Sequence, residues 1–339
     1  MPNNKCAAFT RAMIFTVLIT VLARFPAAAQ PAHAAAIPDL DAKVTKKNIQ
    51  KILSKYDPDG AYIIKKQLAK GDDILRWYIP PDRIIDGINV TLHEETHGYQ
   101  YAYAKYAKGT VKTAMFVGKK KTIHVPVTKV YPSKKMAVSI PKGLRTFRYN
   151  TYVGRPTKNL SSDVNGAYGL MDEFAAYRMG MSNNIALFPY YVAQSADWDA
   201  WEVFIAECEN DKLAYGEFKY YILHYLYYAK KRYPKVYKGI VENKKFCQAY
   251  RRLESGYTKL IKDYERKLPK IQQLLAEKGY DLKIMADKVI ISAEYEEGGD
   301  SVSYSYSIGR YTGDYKKLQK ETQKSRYKSI HNKLVKNGK

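Results

Sequence analysis

The 339 residues, 46% of them hydrophobic, suffice for one large domain or two lobes around a substantial core. With 57 Lys and Arg against 33 Asp and Glu the formal charge is +24, a field that draws anionic partners. Past residue 36 no apolar run reaches the roughly 20 residues that a membrane-spanning helix needs, which excludes a transmembrane span from a mature chain beginning there.

The first 36 residues read as a signal peptide. Lys5 and Arg11 precede a largely apolar run at 12–23 that Arg24 closes, and Ala27-Ala28-Ala29, Ala32-His33-Ala34 and Ala34-Ala35-Ala36 all suit a small-residue cleavage site. The expected product is exported: secreted, periplasmic or at the cell surface. Cys6 precedes the apolar run, so it is misplaced for a lipid anchor and leaves with the leader. Cys208 and Cys247 then remain, free to pair or to stay as thiols. Removal of Lys5, Arg11 and Arg24 leaves +21, densest at 316–339. For an exported protein such a charge points to anionic cell-envelope polymers and away from nucleic acid, the alternative being a solvated lysine surface with no dedicated partner.

An α+β N-terminal lobe is expected over 37–155. Weak helical patterns at 41–55 and 61–70 flank Asp57-Pro58-Asp59-Gly60, which reads as a turn. Pro80, Pro81 and Asp82, the last a fair N-cap, introduce a helix whose Ile85, Ile88, Leu92, Tyr99 and Tyr103 recur at helical spacing. Strands are predicted at 111–117, 121–127 and 137–140. They form a small sheet, either a plain hairpin or one whose edge pairs with an extended peptide. Residues 156–339 read as a mainly helical lobe with a basic tail. Helices are predicted at 166–181, 196–210, 212–232, 243–268 and 270–278, with breaks at Pro189, Pro234 and Pro269. A strand pair at 288–295 and 301–308 and a basic terminal helix follow. The fold class is α+β, predominantly helical, with a cleft between the lobes, and most of the 32 tyrosines serve amphipathic packing.

Within the first well-marked helix lies His93-Glu94-Glu95-Thr96-His97. Four residues advance a helix by about 400°, so both imidazoles lie on one face, one turn apart, within reach of a single Zn²⁺. Glu94 falls beside that pair and is the candidate base. Glu95 falls opposite and is expected to meet solvent or a surface partner. A zinc site that keeps a reactive water needs a third protein ligand. His124, His224 and His331 are available, but Glu173 is the better candidate, because its charge sits among apolar and small residues where only a cation compensates it. Asp172 competes for that role, with Glu202 and Glu207 as more distant options. Gly166, Gly169, Ala175 and Ala176 would let a second helix come close. Tyr177, Tyr168 and His224 are candidate donors to a transition-state oxyanion, each weighed against an ordinary place in the core.

His93-Glu94-x-x-His97 followed by Glu173 on a later helix resembles the gluzincin zinc metallopeptidases, over about 90 residues. The resemblance implies a zincin-like lobe, Zn²⁺ on His93, His97 and Glu173, and a protease that hydrolyses peptide bonds with Glu94 as base and then acid. Tyr177 stands where many gluzincins carry an acidic residue that orients a ligand histidine; Asp86, two turns before His93, is a candidate substitute. The alternatives are a zinc amidase or other zinc hydrolase, and a cationic envelope-binding protein whose zinc site is structural or inactive.

Overall fold

The computed structural model describes residues 37–78, 83–107, 109–297 and 300–339. The proposed leader therefore lies outside the described residues, as do Pro80, Pro81 and Asp82. Helix α1 (Lys46–Tyr56) opens at Thr45, whose Oγ1 accepts the Asn48 N–H at 3.1 Å. Asp57 ends α1 and opens α2 (Pro58–Leu68). Its carboxylate takes the Gly60 N–H at 3.0 Å, and Pro58 occupies the first helical position, where no N–H is needed. The stretch predicted as a turn is thus a helix start. Helix α3 (Ile84–Ala102) carries the His93 motif; Asp86 accepts the Arg83 N–H at 3.0 Å, and of the predicted stripe Ile85, Ile88, Leu92 and Tyr99 are buried while Tyr103, just past the helix end, is half-buried.

Strands β1 (Lys105–Ala107), β2 (Thr110–Phe116) and β3 (Thr122–Pro126) make an antiparallel sheet in that order. It is fastened to the end of α3, where Gln100 Oε1 accepts the Phe116 N–H at 3.3 Å and the Tyr99 and Thr122 hydroxyls meet at 2.8 Å. The strand predicted at 137–140 does not form. That stretch belongs to a 3-10 turn, Ser133–Ser139, in which the Tyr149 hydroxyl takes the Ala137 carbonyl and the Ser139 hydroxyl takes that of Met136, acceptors that a strand would need for its neighbour.

Helix α4 (Ser161–Val164) leads into α5 (Ala167–Ala193), α6 (Trp198–Arg232), α7 (Pro234–Val241) and α8 (Lys244–Ala276). Both α6 and α8 are single helices where two were predicted. In α6 the polar tract 207–212 reads as a break but is buried and paired: Asn210 accepts from Arg148, Asp211 from Asn89 at 3.1 Å and Glu209 from Tyr264 at 2.9 Å. Pro189 in α5 and Pro269 in α8 lie on exposed positions inside continuous helices, so neither ends its helix. A second antiparallel sheet of β4 (Tyr280–Ile284), β5 (Lys288–Glu297) and β6 (Asp300–Gly309) adds one strand to the predicted pair. The basic end forms two helices, α9 (Thr312–Thr322) and α10 (Ser325–Asn337).

Residues 37–339 form one compact unit, and α3 packs directly on α5 across the expected lobe boundary at 155. The glycine that permits this approach is Gly180, where a Cβ would stand 2.9 Å from Asn89 Oδ1. Gly169 instead lets α5 approach α4, with the Ser161 carbonyl 2.0 Å from the position of a Cβ, and Gly166 lies against Tyr225 and the Tyr131 carbonyl. Cys208 and Cys247 are both buried and free, so of the two outcomes left open for them it is the unbridged thiols that the structure shows. No described helix is long and apolar enough to cross a membrane.

Candidate metal centre

The crossing of α3 and α5 brings three side chains to one point. His93 Nε2 and His97 Nε2 stand 3.2 Å apart, and Glu173 Oε2 lies 3.4 Å from the second and 3.9 Å from the first. His93 is 8% exposed and Glu173 6%. A point equidistant from three atoms with these separations lies about 2.0 Å from each, the length of a Zn–N or Zn–O bond. The electrostatics also ask for a cation. Glu173 Oε2 is buried with no hydrogen-bond partner, and two imidazole nitrogens converge on the same spot. Nitrogen and carboxylate donors of this number and spacing fit a divalent ion such as Zn²⁺.

Asp172, expected to compete with Glu173 for the ion, stands behind it. Its carboxylate accepts from His97 Nδ1 at 2.8 Å and from Gln100 Nε2 at 2.6 Å, which fixes the His97 ring and directs Nε2 toward the centre. Asp86, the substitute considered for this task, is committed elsewhere: it takes the Arg83 guanidinium at 2.9 Å and caps α3. The charges divide the two imidazoles. Burial opposes a proton on either ring, but Asp172 and Glu173 raise His97 well above the ordinary histidine value; burial, with His97 and Arg148 adding to it, holds His93 well below.

Glu94 sits half-buried beside the ligands. Burial pushes it up to about 7; the His97 charge pulls against this, and the Glu173 and Glu95 carboxylates reinforce it. Glu95 does not face solvent as expected. It is 0% exposed and accepts from Trp77 Nε1 at 2.7 Å and Gln67 Nε2 at 3.2 Å, tying α3 to α2 and to the 3-10 turn Ile74–Trp77. The face opposite the histidines is covered because α2 packs on it, which the helix's own periodicity does not reveal.

Tyr177, one turn beyond Glu173, lies against the centre, its ring edge-on to His93 with centroids 4.3 Å apart. The Tyr152 hydroxyl meets the Tyr177 hydroxyl at 3.2 Å, and the Arg148 guanidinium stacks over the Tyr177 ring at 4.5 Å. Arg148 is buried and held by Glu217 at 2.9 Å, so a fixed positive charge stands behind this tyrosine pair. The other candidates are placed elsewhere. The Tyr168 hydroxyl meets Thr128 Oγ1 at 2.9 Å and takes an Asn243 N–H at 3.2 Å, as a clamp between loop and helix. His224 bonds Ser139 and Tyr327, His124 the Tyr103 carbonyl, and His331 Tyr250. Glu202 is held by Tyr306, and Glu207 is half-buried on α6, raised to about 7 by loss of solvent against the pull of Arg148.

Sequence reasoning missed Gln100, Tyr152 and Arg148. Gln100 carries a usable signal, since it follows His97 by three residues and so shares its face. Tyr152 and Arg148 come from an irregular segment whose fold only the tertiary structure sets. No family model, curated protein or solved structure matches the chain.

Proposed function

We propose that this protein is a zinc-dependent metallopeptidase with a gluzincin-like ligand set. The observation that carries the reading is the convergence of His93 Nε2, His97 Nε2 and Glu173 Oε2 within 3.9 Å, with Asp172 behind His97 and Glu94 beside them. Zn²⁺ held by these three atoms supplies Lewis acidity for an attacking water and for the scissile carbonyl. Glu94, half-buried beside the ligands, would take a proton from that water and return one to the leaving amine. The Tyr177 and Tyr152 hydroxyls, with the Arg148 charge behind them, are candidate donors to a developing oxyanion. The leader in the sequence makes export part of the same reading, and the substrate a peptide or protein met outside the cytoplasm.

The test is zinc content followed by cleavage of a defined peptide library. The purified protein should bind one Zn²⁺ and cut peptides. Glu94→Gln should keep the metal while losing about 10²–10⁴-fold in rate, the range of a general acid–base. A zinc-loaded protein that leaves every peptide intact but hydrolyses simple amides would move the reading to an amidase, whose ligands and base are the same. Absence of stoichiometric zinc would end both.

A further inference from the structure

Away from the metal centre, one face of the last turns of α6 meets α10 and the loop after the 3-10 turn Ser133–Ser139 around a cavity of about 210 Å³. His224, Tyr227, Tyr228, Lys231 and Arg232 share that face at helical spacing, and Arg326 and Tyr327 close it from α10. The lining holds three cations and no carboxylate. Two of the cations crowd one ring: Lys231 Nζ lies 4.6 Å and the Arg326 guanidinium 5.5 Å from the Tyr227 centroid. Like charges placed so close repel. Glu321, which pairs with Arg326, relieves only part of this.

The floor is built and rigid. His224 is 2% exposed and Tyr327 1%. His224 Nε2 stands 2.8 Å from Ser139 Oγ and Nδ1 2.7 Å from the Tyr327 hydroxyl. The Ser139 hydroxyl donates to the Met136 carbonyl at 2.7 Å, so it receives the Nε2–H, and Tyr327 donates to Nδ1. With its proton turned away from the imidazole, Ser139 is not an activated nucleophile. The cavity is organised for binding, with hydroxyl and imidazole groups below, tyrosine rings at the side and cations at the mouth.

We propose that this cavity binds an anionic monosaccharide, a single hexose carrying a phosphate or a carboxylate. Tyr227 and Tyr228, both half-buried, line the side of the cavity, a lone pair of Ser139 Oγ is left to accept from a sugar hydroxyl, and Lys231 and Arg232 at the mouth, with Arg326, receive the charge. The volume lies below the roughly 300 Å³ at which drug-sized sites begin and suits a ligand of one ring. The proposal stands on residues remote from His93, His97 and Glu173 and does not depend on the metal reading.

Isothermal titration of the full chain with glucose 6-phosphate and with glucuronate tests it, beside glucose, inorganic phosphate and adenosine monophosphate at the same ionic strength. Saturable binding of both anionic sugars is expected, at least tenfold tighter than glucose or phosphate alone. It should weaken tenfold or more in Lys231→Gln/Arg232→Gln, two exposed positions whose change leaves the fold intact, and in Tyr227→Ala. No saturable binding of either sugar acid overturns the proposal. So does inorganic phosphate or glucose binding as tightly as the sugar acids, tighter binding of adenosine monophosphate, or sugar-acid binding unchanged in Lys231→Gln/Arg232→Gln.

Discussion

Replacing Asp172 by Asn tests whether the α3–α5 crossing is a metal site with an organised surround. The carboxylate accepts two hydrogen bonds, from His97 Nδ1 at 2.8 Å and Gln100 Nε2 at 2.6 Å. Asparagine keeps the shape but loses the charge, and its amide nitrogen cannot accept. A hydrogen bond to a charged group contributes about 1.5–3 kcal/mol and a neutral one about 0.5–1.5, so about 1–2 kcal/mol of the preference for a correctly aimed His97 is lost. That corresponds to roughly a 5- to 30-fold loss of zinc affinity, overlapping the 10–100-fold typical of groups that orient a ligand histidine. Competition against a chromophoric zinc chelator at fixed pH and salt measures it, with circular dichroism to show that the helices remain. Glu173→Gln should lose more, because there a ligand itself is removed. An Asp172→Asn protein that binds zinc as tightly as the wild type would falsify the assignment of Asp172 as the group that aims His97.

Three further outcomes are expected. Leu92→Ala, on the buried stripe of α3, should cost about 2–5 kcal/mol of unfolding free energy in urea; a loss under 1 kcal/mol would mean that the stripe is not core. Burial, helped by Arg326 and opposed by Glu321, depresses His224 to about 4, with Ser139, Tyr220 and Tyr327 as its hydrogen-bond neighbours. The unfolded chain therefore takes up this proton first as pH falls, so stability complete above about 6.5 declines by about 3 kcal/mol toward pH 4. His224→Gln should remove that slope, and an unchanged pH–stability curve in the variant contradicts it. Because Cys208 and Cys247 are free, the melting temperature should be the same with and without reductant, and a chain lacking its leader should titrate two thiols after denaturation; none would point to a bridge.

Much of the candidate metal centre was legible in the sequence because its information is local. His93, Glu94 and His97 lie within five residues, and a helix alone places them. Glu173 followed from a different kind of reasoning, the cost of an uncompensated charge among apolar neighbours, and it meets both histidines. Predictions failed where the deciding group came from elsewhere in the chain. Glu95 was read from helix geometry as outward-facing, but Trp77 and Gln67 cover it. The polar tract 207–212 imitates a helix break because its partners, Asn89, Arg148 and Tyr264, are remote in sequence. Asp57-Pro58 has the composition of a turn and the position of a helix cap, and only the following hydrogen bond separates the two. The expectation for 137–140 rested on too few residues for any period to discriminate.

Gly180 gives the crossing an unusual sensitivity. It lies seven residues beyond Glu173 on the same helix, about 10 Å along the axis, and touches no ligand. A methyl group there would press on the Asn89 amide at 2.9 Å and the Asp211 carboxylate at 3.0 Å, so either this hydrogen-bonded pair between α3 and α6 would shift or α5 would move off it. Bond lengths around a divalent ion tolerate about 0.2 Å, so even a slight splaying would detune the grip on the ion while every coordinating side chain stayed in place. A side chain added at this contact would therefore bear on the spacing of carboxylate and imidazoles from two turns away.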